Sequence, residues 1–433
     1  MQNNLPTYTQ YKPSGVQWLG NIPEHWKLTR LGTRFEERRT KVSDKDYPAL
    51  SVTKQGILPQ LDSAAKTNDG DNRKLVKAGD FVINSRSDRK GSSGISDRDG
   101  SVSLINIVME PHNVHPIYCN YLLKSYAFVE EFYRMGHGIV ADLWTTRYDE
   151  MKAIMVGIPP LPEQTAIAQF LDRKTAQIDV VIAQKQRMIE LLKEHRQITI
   201  NNCLIRGTNP SEKLKDSGIK QIGLIPHNWE IRRLKHCVNI LTGFAFKSTM
   251  YSNSPEDIKL LRGININPDS INWSETVYWP QKHKDQFKEY LLQENDIVIG
   301  MDRPWVSSGI RVASISHGDL PCLLLQRVAR IRGNSTMMTQ YSKLLLSSKI
   351  FLEYFEPMLS GISVPHISSD QITNFQCPVP PVEEQTEIVN YIETATQKID
   401  KAIGLKEQEI EKLKEYKASL INSVVTGKVK VVE

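Results

Sequence analysis

Apolar residues recur on steps of three and four along two long stretches of the chain. In the first, Ile167, Leu171, Ile178, Val181, Ile182, Met188, Leu191 and Leu192 mark a stripe. In the second, Ile388, Ile392, Ala395, Ile399, Ala402, Ile410, Leu413, Leu420 and Val424 do the same, with Lys and Glu between them as in "KEQEIEKLKEYK". This spacing predicts two amphipathic helices. Each follows a proline turn, so Thr165 and Thr386 are the expected N-caps, and Gly207 and Gly427 stand where the patterns stop. Roughly 40 residues at 1.5 Å per residue make rods of about 60 Å. A single helix must bury its stripe. The two are expected to pair as an antiparallel coiled coil, with charges such as Glu409 on the outer face; the alternative is two separate helices, each lying on its own domain.

Outside the rods the period changes. Residues 27–158 and 230–378 hold short β-branched runs ("DFVIN", "SVSLINIVM", "DIVIG", "RVARI") broken by Gly, Pro, Asn and Asp. Each also holds one amphipathic helical pattern, "YCNYLLKSYAFVEEFYRMG" or "QYSKLLLSSKIFLEYFEPML". That mixture predicts α+β domains, joined by the polar linker "RGTNPSEKLKDSG". The expected organisation is a first domain at 1–158, a central helical spacer at 159–207, a second domain at 208–379 and a C-terminal helical spacer at 380–433.

The two halves repeat. "SGVQWLGNIPEHWKLTRL" (14–31) returns 203 positions later as "SGIKQIGLIPHNWEIRRL" (217–234). "IPPLPEQTAIAQFLDRKTAQID" (158–179) returns 221 positions later as "VPPVEEQTEIVNYIETATQKID" (379–400). A weaker echo relates "GDFVINSRSDRKGSSGI" (79–95) to "NDIVIGMDRPWVSSGI" (295–310), with one gap. Two phrases repeated in the same order mark a tandem duplication. Trp26 and Trp229 belong to the shared frame, so they are expected to anchor each domain beside the helices and to touch no ligand.

Composition adds little. The chain has 433 residues, 40% hydrophobic and 24% charged, which suits a multidomain globular protein. The N-terminus is polar with no signal-like apolar run, and only thirteen residues precede the first repeat, so any extra dock there would have to be short. No apolar run reaches the length of a membrane span, and a cytoplasmic protein is expected. Five isolated cysteines form no CxxC pair, so reduced, mostly buried thiols are expected and no metal site. The net charge of +6 permits a polyanionic partner without requiring one.

Catalytic motifs are missing. The sequence has no GxxxxGK[ST] phosphate loop, no GxGxxG after a strand, no HExxH and no GxSxG. It also lacks the Asn/Asp-Pro-Pro-aromatic sequence expected of an enzyme that methylates a base amino group. The positive signal is a set of loops. "NSRSDRKGSSG" carries Arg86, Arg89, Lys90 and Ser92, and "GMDRPWVSSG" carries Arg303, Trp305 and Ser307. A second pair of loops follows the helical patterns, with Thr145, Thr146 and Arg147 in one and His366 and Ser368 in the other. Arginine can pair bidentately with guanine or bridge phosphates, and hydroxyls hold phosphate oxygens, so these twelve residues are candidate DNA contacts. The Thr and Ser could equally cap the turns that follow. Two similar frames with different loop fillings suit a reader of two different words.

The doubled "GxIPxxW" opening, the doubled "Pro-Pro-x-x-Glu-Gln" close and the long helix after each close together resemble the DNA-specificity subunits of Type I restriction–modification systems. The resemblance covers nearly the whole chain. It implies two target recognition domains, each reading half of a split site, and paired helices that act as a ruler and dock two DNA methyltransferase subunits. It further implies restriction and motor subunits as partners, with S-adenosylmethionine, ATP and Mg on those partners and no cofactor on this chain. From the residues alone, two other readings stay open. One is a tandem coiled-coil interaction scaffold without sequence-specific DNA binding. The other is a self-sufficient DNA enzyme with an unrecognised centre.

Overall fold

The repeated opening phrase folds as a hairpin in both halves. Strand Tyr11–Pro13 pairs antiparallel with Asn21–Pro23, and Leu214–Asp216 pairs the same way with Leu224–Pro226. Each hairpin closes on a glycine in left-handed backbone, Gly20 at φ +59° and Gly223 at φ +71°, a conformation that costs any residue with a Cβ. The computed structural model describes residues 6–60, 70–139, 144–306, 309–359 and 365–431.

The chain forms two compact units, one of residues 1–186 with 407–433 and the other of residues 187–406. Each unit therefore contains one α+β domain and a part of each long helix.

In the first unit a four-stranded antiparallel sheet runs in the order Ser93–Ile95, Phe81–Asn84, Asn106–Pro111, Phe35–Glu37. A smaller sheet holds Gly100–Val102, Arg73–Val76 and Lys41–Val42. Lys27–Arg30 pairs with Met155–Ile158, so the two ends of the domain lie side by side. Helices Pro116–Lys124 and Tyr126–Arg134 bury Tyr118, Leu122, Phe128 and Phe132 against Trp26, Phe35, Phe81 and Ile83.

The second unit repeats this plan. Its main sheet runs Val312–Ser314, Ile297–Gly300, Val328–Gly333, Val238–Thr242, all antiparallel, and Glu230–Arg233 pairs with Gln376–Val379. The smaller sheet differs, because Ile258–Leu261 pairs parallel with Cys322–Leu324. The "SSGI" echo differs as well. Ser93–Ile95 is an edge strand of its main sheet, whereas Gly309–Ile310 pairs with Trp305–Val306 in a separate hairpin and Val312–Ser314 takes the edge position.

The central helix spans Leu161–Arg206 and the C-terminal helix Val382–Val425. Within the first unit, Lys185 pairs with Glu409 at 2.6 Å and Lys417 with Asp179 at 2.7 Å, while Ile178, Leu420 and Val424 share the core. Within the second, Arg196 pairs with Asp400 at 3.2 Å, and Ile200 and Leu204 share a core with Ile388, Val389 and Ile392. Partner numbers fall along one helix as they rise along the other, so the helices pair antiparallel, as their stripes predict.

Two details of that expectation change. Thr165 and Thr386 are not N-caps: the helices begin four residues earlier, and both hydroxyls donate inside the first turn, to the carbonyls of Leu161 and Val382. Glu409 does not lie on the outer face but reaches across to Lys185. Gly207 and Gly427 do end the helices, at φ +72° and +75°. Among the described residues no helix is long and apolar enough to cross a membrane.

Candidate nucleic-acid interface

The repeated phrases are joined by a polar latch that serves the frame. Trp26 is fully buried and its Nε1 donates to Glu163 at 3.0 Å. The Tyr8 hydroxyl donates to the same carboxylate at 2.6 Å, and His25 meets it at 2.7 Å. Burial, reinforced by that hydrogen bond to Glu163, pushes the Tyr8 phenol far above its ordinary value. The neighbouring Gln164 accepts from the His115 amide and donates to the Pro159 carbonyl. In the second unit Gln385 accepts from the Met338 amide and donates to the carbonyls of Thr336 and Pro380. The Glu-Gln of each closing motif therefore ties a helix start to its domain, and both tryptophans are consumed by packing.

Each domain brings its two candidate loops together through the same backbone bonds. In the first, the Ser87 amide donates to Trp144 O, the Thr146 amide to Ser85 O, and Arg86 bridges Thr145. In the second, the Arg303 amide donates to Pro365 O, the Ile367 amide to Met301 O, and Asp302 bridges His366. A third segment joins in both: the Ser85 amide donates to Ile105 O and the Met301 amide to Arg327 O. This register makes Arg86 equivalent to Asp302, Thr145 to His366, Arg147 to Ser368 and Ile105 to Arg327. The frame is shared and the side chains on it are not.

In the first unit these loops line a cleft of about 570 Å³ that contains Arg86, Thr145, Thr146 and Arg147 together with Arg39, Lys41 and Lys74. Glu37 neutralises part of this charge, pairing with Arg39 at 2.6 Å and with Lys74 at 3.0 Å. The guanidinium of Arg86 and the ammonium of Lys41 have no ion-pair partner among the described residues. The Thr146 side chain is fully buried and its hydroxyl donates to Phe132 O, so it holds the loop in place. The other candidates stand apart from the cleft. Arg89 is exposed beside Asp88, Lys90 is taken by Glu130 at 2.7 Å, and Ser92 is buried in the loop's own turn.

In the second unit Asp302 organises the loop pair. It accepts from His366 Nδ1 at 2.6 Å and from Arg327 at 2.9 and 3.0 Å. Partial burial pushes its carboxyl up, but the bonds from His366 and Arg327 outweigh this and leave it below the ordinary aspartate value. Arg303 is exposed, sits at φ +45° and has no ion-pair partner among the described residues. Trp305 is half-buried on its hairpin against the domain core. Ser368 caps helix Ser369–Asn374, accepting from the Gln371 amide, and Ser307 lies outside the described residues.

Sequence reasoning passed over Arg39, Lys41, Leu104, Ile105 and Arg327. The charge run "ERRTK" was visible, but Arg38 and Arg39 look alike there. In the fold Arg38 is spent on Asp80 and Glu110, while Arg39 remains on the cleft. All five cysteines are buried and free, and among the described residues no group of three or more His, Cys, Asp or Glu could hold a metal ion.

Comparison with known proteins accords with this duplicated plan. Residues 226–415 match the Type I restriction modification DNA specificity domain. The Type I restriction enzyme MjaVIII specificity subunit of Methanocaldococcus jannaschii is 27% identical over 95% of this chain and 94% of its own length. The EcoAI specificity subunit of Escherichia coli is 38% identical over 41% of this chain and 30% of its own length. The fold resembles a chain from a solved assembly of a type I R-M system (TM-score 0.69, 15% identity, 93% of this chain and 98% of that one). It also resembles the HsdS subunit from Thermoanaerobacter tengcongensis (TM-score 0.54, 16% identity, 94% and 98%). In its doubled frame and paired helices, as in sequence, the chain is thus similar to the DNA-specificity subunits of Type I restriction–modification systems.

Proposed function

We propose that each domain reads one half of a bipartite site on duplex DNA through its loop pair, and that the paired helices set the number of base pairs left unread. One observation carries this reading. Identical backbone bonds hold Arg86, Thr145 and Arg147 in one domain and Asp302, His366 and Ser368 in the other. Conserving the scaffold while changing the donors and acceptors on it is what two different half-sites require. The helices have 46 and 44 residues. At 1.5 Å per residue they are about 65–70 Å long, comparable to two turns of B-DNA at about 34 Å each.

On this reading the partners are double-stranded DNA, two DNA methyltransferase subunits and the restriction and motor subunits. Those partners carry S-adenosylmethionine, ATP and Mg, and this chain carries none of them. The complex works in the cytoplasm, where the chromosome is accessible.

The test is a domain exchange read by methylome sequencing of cells carrying this chain and its partners. Replacing residues 27–158 with another recognition domain should change one half of the split methylated motif and leave the other. A change in both halves, or an unsplit motif, would overturn the proposal.

A further inference from the structure

We propose that the Leu104–Ile105 turn reads a thymine methyl group in the half-site bound by the first unit. The inference rests on the half-site reading above and deepens it by assigning one contact.

Leu104 and Ile105 form the tip between strands Gly100–Val102 and Asn106–Pro111, and they are 41% and 40% exposed. A single exposed leucine is unremarkable in any protein. Two consecutive aliphatic side chains on the wall of a cationic cleft are a different matter. The cleft carries five cationic side chains against the two carboxylates of Glu37 and Asp149. A ligand that suits both must offer anions around an apolar projection. The DNA major groove does so, with phosphates along its rims and the thymine C5-methyl group on its floor.

The turn is also held rigidly. The Ile105 carbonyl accepts from Ser85 beside Arg86 at 3.3 Å, the Asn106 carbonyl accepts from Lys74 at 2.9 Å, and Asn106 Nδ2 bonds both Ser103 O and Ser103 Oγ at 3.1 Å. The apolar pair therefore reaches its ligand with little ordering left to do. The frame does not need it to be apolar. At the same register the second unit places Gln326 and Arg327, and Arg327 makes the same carbonyl contact while its guanidinium holds Asp302. The position thus changes chemistry between the two readers.

The experiment uses the full chain assembled with its methyltransferase subunits and duplexes bearing the methylated motif. Each thymine of the first half-site is replaced in turn by deoxyuridine, which lacks only the methyl group. One replacement should weaken binding about three- to tenfold, the scale of one buried methyl. Leu104→Ala and Ile105→Ala complexes should bind thymine and deoxyuridine duplexes more nearly alike. Deoxyuridine in the second half-site should leave the variants' relative losses unchanged. If the complex prefers its motif but every deoxyuridine duplex binds as tightly as thymine, the methyl contact is overturned and half-site reading survives. A first half-site without thymine on either strand has the same consequence. Unstacking at that step, seen as a rise in 2-aminopurine fluorescence, replaces the methyl contact with wedge insertion. If the complex shows no sequence preference at all, the half-site reading falls as well.

Discussion

Trp26 donates its indole N–H to Glu163 at 3.0 Å across 137 positions of sequence, joining the phrase that opens the first domain to the motif that closes it. The Tyr8 hydroxyl shares that carboxylate. Glu163→Ala leaves two largely buried donors without an acceptor, at about 1–3 kcal/mol each. The expected loss is about 2–6 kcal/mol in the stability of the first unit. In the second unit Trp229 Nε1 has no hydrogen-bond partner among the described residues and Asn228 reaches Glu384 at only 3.3 Å, so Glu384→Ala should cost less. Urea unfolding of both variants checks the order, and equal losses would refute the latch.

Two left-handed glycines, Gly427 after the C-terminal helix and Gly218 in the second unit's opening hairpin, give a second comparison. Gly427 is left-handed, and a Cβ there would lie 2.3 Å from Pro23 Cδ and 3.3 Å from the Trp26 ring. Gly218 is equally left-handed at φ +75° but has nothing within 4 Å. Gly218→Ala should cost about 1 kcal/mol from backbone strain alone. Gly427→Ala adds a collision with a proline ring and should cost about 3 kcal/mol or more. Thermal unfolding of the two single variants is sufficient to rank them.

Arg303 is exposed on the candidate loop of the second unit. Arg303→Ala should weaken DNA binding and, if the side chain meets a phosphate, reduce the slope of log K against log salt by about 0.9. Glu407→Ala, an exposed change on the C-terminal helix, should leave that slope unchanged. Equal effects from the two variants would remove the case for this loop.

Asp302 supplies the pH dependence. Its folded-state value is depressed by His366 and Arg327 despite partial burial. Its stabilising effect is therefore complete above the unfolded aspartate value of about 3.9 and is lost as pH falls through the lower folded value. Amide exchange at Arg303 and Ile367 should accelerate only in that acid window. A carboxyl titration by NMR that places Asp302 at or above the ordinary value would contradict the clamp.

The elements were legible in the sequence because they are periodic or repeated. The stripes on Ile167 to Leu192 and on Ile388 to Val424 foretold the helices and their antiparallel pairing. The doubled Trp26 and Trp229 foretold an anchor, and both are fully buried. The two candidate loops of each domain also meet in the fold. Their individual side chains were not separable in advance. Lys90 reads as a free cation until Glu130, forty residues later, arrives beside it, and Thr146 reads as a surface donor until it proves to hold Phe132.

Local pattern thus settled the duplication, the α+β composition of each domain and the two rods, because each depends on residues within a few turns or strands of one another. The distribution of free charge depended on tertiary contacts. Arg38 is neutralised by Asp80 forty-two positions away, and Arg327 by Asp302 twenty-five positions away, leaving Arg86 and Arg303 exposed without such partners among the described residues. An ion pair forms wherever the fold brings two charges within a few ångströms, and no spacing rule along the chain records that distance. The same holds for the helix partners. Each unit takes a segment of both rods, a division that follows from packing and leaves no mark in the order of residues.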